Sequence, residues 1–113
     1  MPWTATYRFA RISPRKARLV ADLIRNRHVD EALEILTFTK KRASGMVSKV
    51  LRSAIANADE QEADVNALYV DEVRVDEGPA IKRWRPKDRG RAHPYAHRTS
   101  HIKVTVEQES ARG

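Results

Sequence analysis

The stretch from Lys82 to Lys103, KRWRPKDRGRAHPYAHRTSHIK, limits what this chain can fold into. It holds eight basic residues (Lys82, Arg83, Arg85, Lys87, Arg89, Arg91, Arg98 and Lys103) against one acid, Asp88, and three of the four histidines. Its large apolar residues are only Trp84, Tyr95 and Ile102. Such a segment cannot bury enough apolar surface to fold by itself. Eight mutually repelling cations need a polyanion, and phosphate suits because neutralising it releases condensed counterions. Strand-like runs flank the stretch, Leu68–Val75 and Ile102–Val106. The reading is a long two-stranded arm that leaves a small body and is ordered by nucleic acid. A solvated basic loop is the plainer alternative, but loops of this length are uncommon in compact domains without a function. The turn is expected near Asp88-Arg89-Gly90, where glycine permits positive φ. The run from Val75 to that turn, extended, spans on the order of 45 Å. That is longer than a body of this size is wide.

A chain of 113 residues has room for one modest core. The expected organisation is a single domain over residues 1–113. Its globular body covers about 5–77 and 102–107, and its arm covers about 78–101. The net charge of +7 points to an acidic partner. Met1–Arg52 carries twelve basic and four acidic residues, whereas Asp59–Glu77 carries eight acidic and one basic, Arg74. The acidic block marks a face turned away from the anion, and the basic blocks mark faces that approach it. Cysteine is absent, which removes a disulfide framework, a thiolate metal site and a Cys nucleophile. No apolar run approaches the roughly 18 residues of a spanning helix. Helical patterning begins by Ser13, which leaves no room for a transit peptide. A soluble, cytoplasmic protein with no membrane partner and no homo-oligomer is expected.

Along the chain, Thr4–Ala10 alternates with period two, placing Ala5, Tyr7 and Phe9 on one side and Thr6 and Arg8 on the other. Ser13-Pro14 begins a helix, serine as cap and proline at the first helical position. Ala17, Val20, Ala21 and Ile24 form its stripe, widened by Leu19 and Leu23. Arg15, Lys16 and Arg18 crowd its first turn, the wrong end for cations. An external anion would explain them, and so would ordinary surface cations. Asp30 is expected to start a second helix ending near Phe38, with Val29, Ala32, Leu33 and Leu36 inward. The third helix has the strongest periodicity: Ala43, Met46, Val47, Val50, Leu51, Ala54, Ile55 and Ala58. Lys41, Arg42, Ser44, Ser48, Lys49 and Arg52 lie off that stripe. Gly45, inside it, either permits a close backbone approach or is a tolerated accident. Asp59–Ala67 reads as a loop and Leu68–Asp76 as a strand whose parity switches, which suggests a bulge. Gly78-Pro79 marks where the chain leaves a sheet edge. Ile102, Val104 and Val106 alternate as a half-buried strand, and Glu107–Gly113 reads as a frayed tail. The fold class expected is α+β: three helices packed on a small three-stranded antiparallel sheet, with a long protruding β-hairpin.

His93, His97 and His101 recur at every fourth position, but Pro94 interrupts any helix there, and an extended chain separates them. No metal site is expected. No Ser/His/Asp set, Gly-rich phosphate loop or paired-carboxylate constellation is apparent, so no catalytic residue and no cofactor are expected. Trp84 and Tyr95 either stack on bases or pair across the hairpin.

The motifs RISPRKARLVADLIR (Arg11–Arg25), VLRSAIANA (Val50–Ala58), VDEGPAIKR (Val75–Arg83), RGRA (Arg89–Ala92) and RTSHIKV (Arg98–Val104) resemble bacterial large-subunit ribosomal protein twenty-two. They run in the expected order and spacing from about Tyr7 to Val106. The resemblance implies a structural protein that binds large-subunit (23S) rRNA and acts early in assembly. It also implies a hairpin reaching the wall of the polypeptide exit tunnel. Partners would be the rRNA, neighbouring large-subunit proteins and the nascent polypeptide. Arg11, Ser13, Pro14, Arg15 and Lys16 match the rRNA-binding start of the first helix. Lys82, Arg83, Arg85, Arg98, Thr99, Ser100 and His101 match the hairpin stem. Lys87, Asp88, Arg89, Gly90 and Arg91 would lie nearest the tunnel. Arg8, Arg18, Lys41, Arg42, Lys49, Arg52 and Lys103 complete the expected rRNA-binding set. The chain departs from the pattern at Trp84, at Asp88 and at His93-Pro94-Tyr95-Ala96-His97. A free-standing basic RNA-binding module is the alternative reading.

Overall fold

The computed structural model describes residues 2–78, 81–87, 91–97 and 99–109; for 81–87 and 91–97 only the backbone is described. Strand β1 spans Trp3–Ala10, and helices α1, α2 and α3 span Pro14–Ile24, Val29–Phe38 and Arg42–Glu60. A 3-10 turn over Val65–Ala67 leads into β2 (Leu68–Glu77). Strands β3 (Ile81–Lys87), β4 (Arg91–His97) and β5 (Ser100–Gln108) follow. The fold is α+β. Three helices pack on a three-stranded antiparallel sheet ordered β1-β5-β2.

Side-chain alternation decides which sheet face is covered. On β5, Ile102, Val104 and Val106 are buried, and they meet Val70, Val73 and Val75 of β2. Val20 and Ile24 of α1, Val29 of α2, and Val47, Leu51 and Ala54 of α3 close the core over them. Fully burying one such aliphatic side chain contributes about 1.5–3 kcal/mol. The expected β2 bulge lies between Val70 and Glu72. It puts Leu68 and Val70 on the same face as Val73 and Val75, and without it one pair would point to solvent.

Groups outside the sheet bond to both of its outer strands. On β2, Arg18 of α1 and Arg25 just after it donate to the carbonyls of Val75 and Val73 at 3.0 and 2.8 Å. Asn26 N–H donates to Val70 O at 2.9 Å, and Val70 N–H donates to Arg27 O at 2.8 Å. On β1, Asn57 of α3 donates to Thr4 O at 3.1 Å.

β3 and β4 form a separate two-stranded antiparallel sheet, paired from Ile81↔His97 to Lys87↔Arg91. Trp84 stands opposite Pro94 and Tyr95 opposite Arg83, so the two aromatics are not cross-strand partners. The body ladder ends at Glu77↔Ser100, and Gly78 N–H donates to Thr99 O at 2.9 Å. The limbs joining the two ladders hold residues 78–80 on one side and 98–99 on the other, so the register slips by one there. The expected turn at Asp88-Arg89-Gly90 lies outside the described residues, as do Pro79, Arg98 and residues 110–113.

Several expectations are corrected. Phe9 does not continue the apolar side of β1; a register break between Tyr7 and Ala10 turns it outward and buries Ala10 instead. Leu19 and Leu23 do not widen the α1 stripe; both are exposed. His28, not Asp30, caps α2: its ring Nδ1 accepts from Asp30 N–H at 3.2 Å. Ser44 is buried beside the α3 stripe. Helix α3 runs on to Glu60, so the expected loop is shorter. Strand β5 extends to Gln108, and Glu109 N–H donates to Ala67 O at 2.8 Å, so the tail begins later than expected. A Cβ placed on Gly45 would meet nothing within 4 Å, so no protein backbone approaches it closely.

Candidate nucleic-acid interface

Two helix starts lie together. Ser13 caps α1, its Oγ accepting from Lys16 N–H at 3.4 Å, and Pro14 fills the first helical turn. Lys41 stands at the cap of α3, where no side chain satisfies the free amides. Neither first turn carries an acid. Unpaired amides and the helix dipole make each terminus partly positive.

The α1 and α3 starts enclose a groove of about 430 Å³ lined by Ile12, Lys16, Leu19, Lys41, Arg42 and Ala43. Its floor is apolar and its rim carries three cations. Arg11, Arg15, Lys16, Lys41 and Arg42 are exposed, and their side chains make no ion pair or hydrogen bond among the described residues. Three other cations pair with acids: Arg25 with Asp22, Arg27 with Glu31 at 2.6 Å, and Arg74 with Glu72 at 3.6 Å. Five unpaired cations thus collect where the backbone is also positive. That arrangement suits an anion.

A second basic cluster lies between β1 and α3. Arg8 and Lys49 line a groove there, with the Lys49 ammonium 5.7 Å from the Tyr7 ring centroid. Arg52 follows one turn later on α3 and is exposed. Lys103 stands apart from both clusters. It pairs with Thr6 on one side and Arg74 on the other, and is half-buried.

Residues 5–107 match the family model described as Ribosomal protein L22p/L17e. The chain belongs to that family. As a member of the L22p/L17e family it is a structural constituent of the large ribosomal subunit. The family is one of structural proteins rather than enzymes.

Four of the L22p/L17e-type stem and first-helix residues have internal work in this chain. Ser100 is fully buried, and its hydroxyl donates to Ile12 O at 2.7 Å. Thr99 is buried beside Gly78. Both side chains are packed inside the body rather than turned to its surface. Arg18 directs its Nε and Nη2 at Val75 O, at 3.2 and 3.0 Å, which ties α1 to the sheet edge. It is a fold contact before it is a phosphate contact. His101 accepts from Phe9 N–H through Nδ1 at 3.1 Å, and its half-buried ring packs edge-to-face on Phe9.

Lys82, Arg83, Arg85, Lys87 and Arg91 fall on β3 and β4. Arg89, Asp88, Gly90 and Arg98 lie outside the described residues. Phe9 was missed as a surface feature because its apolar parity with Ala5 and Tyr7 assigns it to the core. Arg11, two residues on and two before the cap Ser13, is a local hint that the chain turns outward.

Proposed function

We propose that this chain binds large-subunit (23S) rRNA through its basic faces and supports early assembly of the subunit. Arg11, Arg15, Lys16, Lys41 and Arg42 hold phosphates at the paired helix starts. Arg8, Lys49 and Arg52 hold a second stretch along α3. Lys82, Arg83, Arg85, Arg98 and Lys103 carry contact along the arm, His101 lies at its base, and Lys87, Asp88, Arg89, Gly90 and Arg91 lie nearest the nascent polypeptide in the exit tunnel. Neighbouring ribosomal proteins complete the surroundings. The body, about 5–77 and 102–107, and the arm, about 78–101, form one domain with no catalytic residue, in the cytoplasmic large subunit.

The observation that carries this reading is the set of exposed cations without acid partners at two helix starts that lack acids, in a chain of the L22p/L17e family. The longest dimension of the molecule, 72 Å against 25 and 17 Å, supports an arm that reaches well beyond the body. The radius of gyration, 17.4 Å, exceeds the value of about 13 Å for a compact chain of this length.

Sucrose-gradient sedimentation of a tagged copy, at moderate and then high salt, tests the proposal. Co-migration with the large subunit that survives high salt is expected. Migration at the top of the gradient would leave a free-standing basic RNA-binding module.

A further inference from the structure

The structure assigns Phe9 as a stacking platform for one unpaired nucleobase of the RNA on which the body rests. This inference rests on the RNA-binding reading above and adds to it a residue and a ligand group.

Two costs coincide at Phe9. Its φ is 58°, in the left-handed region that bulky side chains rarely enter. The residue is also 51% exposed, on a strand whose preceding apolar residues, Ala5 and Tyr7, point inward. Glycine would relieve the first cost, and an unbroken strand would remove the second. Such a conformation persists only where its surroundings over-determine it, and functional surfaces are where it collects.

The surroundings here do hold it. The register of β1 on β5 breaks between Tyr7 and Ala10. The freed Phe9 N–H is taken up by His101 Nδ1 at 3.1 Å. The His101 ring then braces the Phe9 ring edge-to-face, with centroids 4.8 Å apart at 83°. The Arg8 guanidinium carbon lies 5.3 Å from the Phe9 centroid, within cation–π range. His101 is thus a positioning residue, and the ring is fixed before any ligand arrives.

The flanking charge selects the occupant. Arg8 and Arg11 stand exposed on either side of Phe9 in sequence, and the groove at the helix starts begins at Ile12. An aromatic face between exposed arginines matches a nucleotide: base on the ring, phosphates on the cations. A peptide side chain would fill the ring face but leave the arginines without anions.

The test uses the full chain and a 23S rRNA transcript. Phe9→Gly should weaken binding on the order of tenfold, as loss of one stacked base does, without changing the salt slope, because no charge is removed. The same variant should melt no lower than the parent, since glycine accepts the local φ. Phe9→Trp should bind as the parent does. Opposite signs for stability and affinity separate a platform from a merely structural residue. In reconstituted subunits, ultraviolet crosslinking should join Phe9 to a nucleotide. Parent-like affinity in Phe9→Gly would overturn the platform and leave RNA binding standing. A crosslink from Phe9 to a neighbouring protein would likewise overturn it. A parent chain that does not bind the transcript would overturn both readings.

Discussion

At the scale of single residues, two polar side chains at the base of the arm behave as core. Ser100 donates to Ile12 O at 2.7 Å inside the body, joining the start of β5 to the turn before α1. Ser100→Ala leaves that carbonyl unpaired and should cost about 1–3 kcal/mol, read as a fall in the midpoint of denaturant unfolding. Thr99 fills the space that Gly78 leaves: a Cβ on Gly78 would collide with Thr99 Oγ1 and press on its carbonyl carbon at 3.3 Å. Sequence reasoning saw the glycine as the exit from the sheet but not the threonine packed against it, because the two are 21 positions apart. Tyr69 shows a different local effect. Partial burial, followed by the charges of Asp71, Glu107 and Glu109, raises its hydroxyl above the ordinary 10.0. The folded chain then holds that proton more tightly than the unfolded chain. The associated stability is present below 10.0 and is lost as pH rises through the folded value. Alkaline titration followed by phenolate absorbance should place Tyr69 above 10.0, and Asp71→Asn should move it part of the way back.

At the scale of elements, α1 separates cations that hold the fold from cations left for a ligand. Ser13, Pro14 and the stripe through Ala17, Val20, Ala21 and Ile24 were legible because capping chemistry and period 3.6 are local. The division among Arg15, Lys16 and Arg18 was not, since it depends on a strand 57 residues away. Arg18→Ala should lower stability by about 1 kcal/mol through the lost Val75 contact and leave the salt slope of RNA binding unchanged. Arg15→Ala should do the reverse, keeping the melting midpoint and lowering the slope by about one. Helix α3 gives a cleaner case. Its apolar spacing predicted the buried Val47, Val50, Leu51 and Ala54. With open space at its Cβ position, Gly45→Ala should raise thermal stability by roughly 0.8–1 kcal/mol, the helix-propensity difference.

At the scale of the whole molecule, the three-stranded sheet ends before the separate β3–β4 ladder begins. The β2–β5 ladder reaches Glu77↔Ser100, and Gly78 N–H meets Thr99 O just beyond it. Replacing residues 80–97 with a short turn should leave cooperative unfolding of the body intact while weakening binding to the 23S transcript. A body that unravels without the arm would overturn the division of the chain into those two parts. The three helices and the β2 bulge were legible from periodicity. The β1-β5-β2 order follows from long-range pairing, and no local pattern encodes it. That order leaves β1 and β2 as outer strands, one broken at Phe9 and lined by Asn57, the other bonded to Arg18, Arg25 and the α1–α2 turn. Free strand borders are the templates on which chains join into fibrils. The bonds that Arg18, Arg25, Asn26 and Arg27 make along β2 take up groups that such a join would need on that border.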